Sequence, residues 1–182
     1  MSVLPHGPGA PGFAIVVAAD EAGGIGKDGK LPWKLPAEMA FFKKLTSEAR
    51  PGLHNAVIMG RRTYESILPK FRPLRDRINV VLSRDPAYRP EGAQSAGSLD
   101  GALDLLRALD DVDRVFCIGG AEIYRLALVH DECAGIYLTR VHALFDCDAT
   151  LPGLRGQFRL LSQDGPHAEN GLSYTFETYR RL

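Results

Sequence analysis

Apolar residues along the chain fall into two kinds of pattern. Continuous apolar runs occur at 13–19, 56–59 and 115–118, and 78–82 is broken only by Asn79. Runs without polar alternation suit strands covered on both faces, as in a parallel sheet flanked by helices. Residues 136–141 form a further β-rich segment, followed by 158–161 and 172–179. In the last, Leu172, Tyr174, Phe176 and Thr178 share one face, as in an antiparallel hairpin. Residues 94–96 complete eight strand candidates. Helical spacing fills the gaps. Over 37–47, Met39, Phe42 and Leu45 recur every third residue behind Pro36, whose fixed φ suits a first helical position. Ser98 caps a helix through Ala108 that carries Leu99, Ala102, Leu103, Leu106 and Leu109 on one face. Another helix opens near Gly120 and runs through Leu128, and one more starts behind Gly60. Alternating strands and helices followed by late strands predict an α/β domain. Its sheet is eight-stranded, mostly parallel and twisted, with an antiparallel C-terminal strand and about four helices.

The 182 residues amount to one domain, over 13–182. Residues 1–12 hold three Pro and three Gly and read as a flexible tail. They contain no Lys or Arg, so the basic start of a signal peptide is missing. The apolar run behind them is seven residues, far short of the ~20 that span a bilayer. The expectation is a cytoplasmic protein without a membrane. Lys and Arg total 22 and so do Asp and Glu, giving net charge zero. A surface so balanced is a poor candidate for binding long nucleic acids, which needs a basic stripe. Cys117, Cys133 and Cys147 include no CxxC, and the five histidines show no HxH or HxxxH spacing. Neither a disulfide framework nor a metal site is expected.

Four segments carry candidate chemistry. The glycine-rich stretch 23–33 lies just beyond the first strand's carboxyl end, where open α/β sheets bind ligands. It reads as neither a P-loop nor a dinucleotide fingerprint, and an ordinary surface loop remains its alternative. Glu38, Phe42 and Leu45 share one helix face. Two readings stand for Glu38: a solvated first-turn carboxylate complementing the helix dipole, or one that pairs with a cationic or amidine-like ligand group in an apolar cleft. Desolvation there pushes its pKa up. Gly60-Arg61-Arg62-Thr63, behind a strand, is a phosphate-binding layout of helix amides and guanidinium groups. Arg84 adds a cation beyond the next strand. The alternative is surface arginines in loose ion pairs. Ile118-Gly119-Gly120 either brings backbone close to a ligand or is a tight βα turn. Together these junctions point to a polyphosphate ligand such as a dinucleotide. There is no GxSxG, and no histidine sits near a candidate nucleophile in sequence, so covalent hydrolase chemistry finds no support.

The combined motifs resemble the dihydrofolate reductases. They are Gly24-Ile25-Gly26 with Leu31-Pro32-Trp33, Leu35-Pro36-Ala37-Glu38 with Phe41-Phe42, Val57-Ile58-Met59-Gly60-Arg61 with Thr63-Tyr64-Glu65-Ser66, Arg72-Pro73-Leu74-Arg75-Asp76-Arg77 with Asn79-Val80-Val81-Leu82-Ser83, Ile118-Gly119-Gly120 with Tyr124, and Tyr137-Leu138-Thr139. They stand in family order over 13–181. The resemblance implies a monomer that reduces 7,8-dihydrofolate to tetrahydrofolate with NADPH, in one-carbon metabolism, and that antifolate inhibitors bind. In it, Glu38 matches the acid that holds the pterin through N3 and the 2-amino group and supports protonation at N5, while hydride passes to C6. Leu31 sits in the loop that closes over the nicotinamide. Trp33 and Thr139 match residues linked to the carboxylate through hydrogen bonds. Met39, Phe42, Ile67 and Leu74 line the folate cleft, Val16, Val17 and Ile118 form its floor, and Tyr124 borders it. Arg77 matches the arginine whose planar fork grips the α-carboxylate of the glutamate tail.

On the cofactor side the resemblance assigns Ala18, Ile25, Gly26, Gly60, Arg61, Arg62, Thr63, Leu82, Ser83, Arg84, Gly119, Gly120, Ala121, Glu122, Ile123 and Tyr124. Arg61, Arg62 and Arg84 favour a 2′-phosphate, hence NADPH over NADH. The family pattern also carries a cis peptide between the two glycines. Tyr64 departs from the Trp of many members, and Glu122 places a negative charge where some bacterial members have Arg. Two alternatives remain: an NADPH reductase of the same fold acting on a pyrimidine or flavin-pathway intermediate, and a non-catalytic folate-binding paralogue. Glu38 with Arg77 argues against the first, and Glu38 with the intact Leu31-Pro32-Trp33 against the second.

Overall fold

The computed structural model describes residues 12–182. In chain order the elements are β1 (Phe13–Ala19), β2 (Gly24–Gly26), α1 (Pro36–Ser47), β3 (His54–Gly60), α2 (Arg61–Ser66), a 3-10 turn (Pro69–Phe71), β4 (Arg77–Leu82), β5 (Gln94–Ala96), α3 (Leu99–Arg107), β6 (Val112–Cys117), α4 (Ala121–Leu128), β7 (Cys133–Val141), β8 (Ala149–Thr150), β9 (Phe158–Glu169) and β10 (Leu172–Arg181). Eight strands form one sheet in the order β5-β4-β3-β6-β1-β7-β10-β9, and β2 pairs with β8 in a separate ribbon. Neighbours are parallel from β5 to β7, and β10 runs against both β7 and β9. The expected eight-stranded α/β sheet with four helices is present. The tail expected over 1–12 lies, except for Gly12, outside the described residues.

The chain lays β3, β4 and β5 to one side of β1. It then inserts β6 beside β1 and places β7 on β1's other flank. The carboxyl ends of β1, β3 and β6 therefore face one crevice at a change of winding direction, where open sheets hold ligands. Period-two alternation splits the apolar strands between two cores. Ala14, Val16, Val57, Met59, Val81, Phe116 and Tyr137 face one side, against Phe42 and Leu45 of α1. Phe13, Ile15, Val17, Ala56, Ile58 and Val80 face the other, against Leu99, Ala102, Leu103 and Leu106 of α3 and Ala127 and Leu128 of α4. Ser98 caps α3 by accepting the Gly101 N–H, as the sequence predicts.

Two elements depart from expectation. α3 ends at Arg107, and the Leu109 N–H bonds Leu106 O three residues back. That tighter turn rotates Leu109 off the apolar face, leaving it exposed. β9 continues beyond 161 to Glu169, through Gly165-Pro166. Proline is tolerated because β9 is the sheet's edge, where one missing N–H breaks no inner ladder. The long β9 reaches back to α1. Leu35 supplies no side-chain cap, and the Glu169 carboxylate accepts the Ala37 N–H at 2.9 and 3.2 Å instead. A carboxylate there satisfies an orphan amide and complements the helix dipole.

Candidate active site

That capped first turn carries Glu38. Its side chain points into the protein, with the residue 6% exposed, and Oε1 accepts a hydrogen bond from Thr139 Oγ1 at 3.0 Å. Thr139 is buried too, placed on β7 opposite Ala18 of β1 and Phe176 of β10. Burial raises the Glu38 pKa above the usual carboxylate value, and the Thr139 bond offsets part of the rise. Of the two readings of Glu38, the solvated one fails. Trp33 is buried against Phe145 with ring centroids 5.3 Å apart, and its Nε1–H finds no protein acceptor among the described residues. Of the two residues linked to the carboxylate in the family pattern, Thr139 bonds it directly.

Val16 belongs to the apolar cluster on the α1 side of the sheet, with Phe42, Ile67, Leu74 and Ile118 partly buried against it. Val17 is the correction here. It follows Val16 on a strand, so its side chain crosses to the opposite core beside α3 and α4. Met39 is 51% exposed, outside the cluster, and Leu31 is 48% exposed beyond the Lys27–Lys30 bridge. Arg77 begins β4 at the far side of the cluster. Its Nε donates to Arg75 O at 2.8 Å and Nη1 to Thr46 Oγ1 at 2.9 Å. Burial lowers its pKa, and Asp76 offsets part of that loss. Among the described residues no carboxylate lies within ion-pair distance of Arg77.

The crevice continues across the ends of β3 and β6. The Gly60 N–H donates to Gly119 O at 2.8 Å, and Gly119-Gly120 is a cis peptide, as expected. Gly119 has φ +107, and a Cβ there would stand 2.9 Å from the Tyr124 ring. A Cβ on Gly120 would come 3.2 Å from Thr63 Oγ1. Tyr124 donates its hydroxyl to Val16 O at 2.8 Å, and burial holds its phenol well above the usual pKa. Neither α2 nor α4 has a side-chain cap, so the first-turn amides at both helix starts lack a side-chain acceptor. Beside them a cavity of about 490 Å³ is lined by Ser83, Arg84, Asp85, Arg89, Gln94 and Ser95. Arg62 is exposed and Thr63 partly so.

The sequence matches a family model described as dihydrofolate reductase over residues 12–181. The chain belongs to the dihydrofolate reductase family. It is 39% identical to the dihydrofolate reductase of Heliothis virescens, over 92% of this chain and 96% of that protein. It is 42% identical to that of Schistosoma mansoni, over 91% and 94%. It is also 42% identical to the bifunctional dihydrofolate reductase-thymidylate synthase of Glycine max, over 93% of this chain and 34% of that protein. The chain thus spans about a third of the bifunctional relatives it matches.

Two of the three arginines assigned to the cofactor phosphate, Arg61 and Arg84, are ion-paired. Arg84 is bonded to Glu122 at 2.6 Å, both exposed. Arg61 donates to Glu65 at 2.9 Å and lies 4.2 Å over the Tyr88 ring. Opposite charges within reach in the folded chain pair up even when sequence separates them by 38 residues. Ile25 and Leu82 are buried in the α3–α4 core, Ala18 packs beside Trp33, and Ala121 and Ile123 pack from α4. The letters of 24–29 spell G-x-G-x-x-G. They form β2 and a turn with no helix start behind them, so the amides a dinucleotide fingerprint needs are missing. Sequence reasoning passed over Asp20, whose carboxylate is buried behind β1. It accepts the N–H groups of Ala22, Gly24 and Phe145 at 2.9, 2.7 and 3.1 Å. An acid directly after an apolar run and before a glycine-rich stretch was the available signal. Asp148 likewise accepts the Asp28 N–H at 2.9 Å. The loop carrying Leu31 is therefore tied at its base to the segment after β7. Among the described residues no helix is long and apolar enough to cross a membrane.

Proposed function

We propose that the protein reduces 7,8-dihydrofolate to 5,6,7,8-tetrahydrofolate with NADPH as hydride donor, and that residues 13–182 carry both ligand sites. The observation that carries this reading is Glu38, a buried carboxylate over an apolar cleft in a chain of the dihydrofolate reductase family. A pterin edge offers two parallel N–H donors, and a carboxylate accepts both. Desolvation makes that match worth more than in water. It also leaves Glu38 readier to hold a proton at neutral pH, which suits support of protonation at N5. Thr139 fixes the carboxylate's rotamer by donating to Oε1, and each oxygen keeps a lone pair for the pterin edge. Phe42, Ile67, Leu74, Val16 and Ile118 exclude water around the ring. The Leu31 loop covers the reacting face when closed.

The residues present fit the cofactor. Paired glycines that a Cβ would crowd and two uncapped helix starts suit a pyrophosphate, and the Ser83–Arg84 cavity suits a phosphorylated ribose. NADPH, when bound, supplies the hydride. Gly60, Thr63, Gly119, Gly120 and the α4 start would hold the pyrophosphate, and Arg61, Arg62 and Arg84 the 2′-phosphate, which favours NADPH over NADH. Arg77 would take the α-carboxylate of the substrate's tail. The protein acts as a cytoplasmic monomer in this reading, and gel filtration tests the monomer.

The decisive assay follows loss of NADPH absorbance with dihydrofolate, for the natural protein and Glu38→Gln. Turnover by the former and a loss of at least ~100-fold in the latter are expected, since an amide presents a donor where the pterin needs an acceptor. Absent turnover, or an undiminished Glu38→Gln, overturns the reading.

A further inference from the structure

Thr46 lies in the last turn of α1 with no exposed surface at all, yet it is polar and has no part in holding Glu38. Its hydroxyl donates to Phe42 O at 2.8 Å, the carbonyl one turn back, and accepts from Arg77 Nη1 at 2.9 Å. A threonine hydroxyl has a single proton. With that proton committed to Phe42, the oxygen can only accept, which is what a guanidinium requires. Arg77 is fixed at a second edge by Arg75 O. The strand beneath is fixed by Asn79, whose side chain bonds Leu74 N and O at 2.9 Å and Arg77 O at 3.0 Å. Of the five guanidinium N–H bonds two are engaged. Both on Nη2 and one on Nη1 remain for a carboxylate. The fork is thus partly desolvated, oriented and without an acid partner among the described residues.

We propose that Thr46 is a positioning residue for substrates with an anionic tail: it sets the plane in which the Arg77 fork meets the tail carboxylate, while contacting neither substrate nor cofactor. This rests on the reading of Arg77 as the tail's anchor. A bidentate grip depends on the angle of a planar group, so loosening one edge weakens it without removing the charge.

The test compares dihydrofolate with a tail-less 6-methyl-7,8-dihydropterin. For Thr46→Val the KM for dihydrofolate rises about tenfold with kcat within about twofold, and the KM for the tail-less substrate stays put. Thr46→Ser restores the dihydrofolate KM. Arg77→Ala raises that KM further, and adding Thr46→Val to Arg77→Ala raises it no more, because the hydroxyl acts only through the guanidinium. If Arg77→Ala leaves the dihydrofolate KM unchanged, the anchor reading itself fails. If Arg77→Ala acts but Thr46→Val raises both KM values alike, acts additively with it or does nothing, the positioning role is refuted. Thr46→Ala gives the same readouts should the valine variant not fold.

Discussion

Replacing Thr139 by valine removes one hydroxyl and almost no volume, from the one side chain among the described residues that donates to the Glu38 carboxylate, at 3.0 Å. Both residues are buried, so water does not take the vacated place cheaply. Burial holds the Glu38 carboxyl above its usual pKa and Thr139 pulls it partly back. The folded chain therefore binds more protons than the unfolded chain between the ordinary carboxylate value and the raised one. Across that window stability falls as pH rises. Thr139→Val pushes the Glu38 pKa higher still and widens the window. Above it, the variant lacks a hydrogen bond to a charged acceptor, at about 1.5–3 kcal/mol. Below it, Glu38 is protonated in both proteins, and the lost bond is a neutral one, at about 0.5–1.5 kcal/mol. Urea unfolding followed by the fluorescence of the one tryptophan, Trp33, measures both across a pH series running from below the ordinary carboxylate value into the alkaline range. The destabilisation is expected to grow by roughly 1–1.5 kcal/mol from the acid to the alkaline condition, with m unchanged. A destabilisation equal at both, or larger in acid, would show that Glu38 is not a desolvated carboxylate held by Thr139.

Three further outcomes follow from the same geometry. Burial pushes the Asp113 carboxyl up, but the Arg50 side-chain and backbone bonds and the charges of Arg50 and Arg114 outweigh it and hold it below its usual value. Its contribution is present above the unfolded pKa and lost as pH falls through the folded one. Asp113→Asn is therefore expected to cost about 1–2 kcal/mol at neutral pH and to flatten the acid limb of the stability curve, read by denaturant titration across pH. Glu122→Gln releases Arg84 from its ion pair. It should lower the KM for NADPH about two- to fivefold, more at low salt and less for NADH, since exposed pairs are weak and screened. Equal changes for both cofactors would count against Arg84 as a phosphate contact. Gly119→Ala puts a methyl 2.9 Å from the Tyr124 ring at φ +107. A loss of about 2–4 kcal/mol, measured by thermal unfolding, is expected from overpacking plus backbone strain.

The groups that bear the chemistry were legible where they sit at the ends of predictable elements. Glu38 follows a proline-opened helix, and Gly60 and Gly119 end apolar strands. What failed was whatever depends on one residue of register. Val16 and Val17 read alike in an unbroken apolar run, but a strand sends them to opposite faces, so only one can floor the cleft. β2 and β8 are three and two residues long, too short for any period to show, yet their pairing ties the glycine-rich loop to the segment after β7. The supports were the least visible. Glu169 caps α1 from 132 residues away, and Thr46 meets Arg77 across 31. Local pattern explains why α1 is a helix and which face is apolar. Its polar partners are chosen by how α1 crosses β4 and how far the edge strand β9 reaches. The active-site carboxylate is thus written in a local motif, while the cap of its helix and the aim of Arg77 are set by contacts that only the assembled sheet creates.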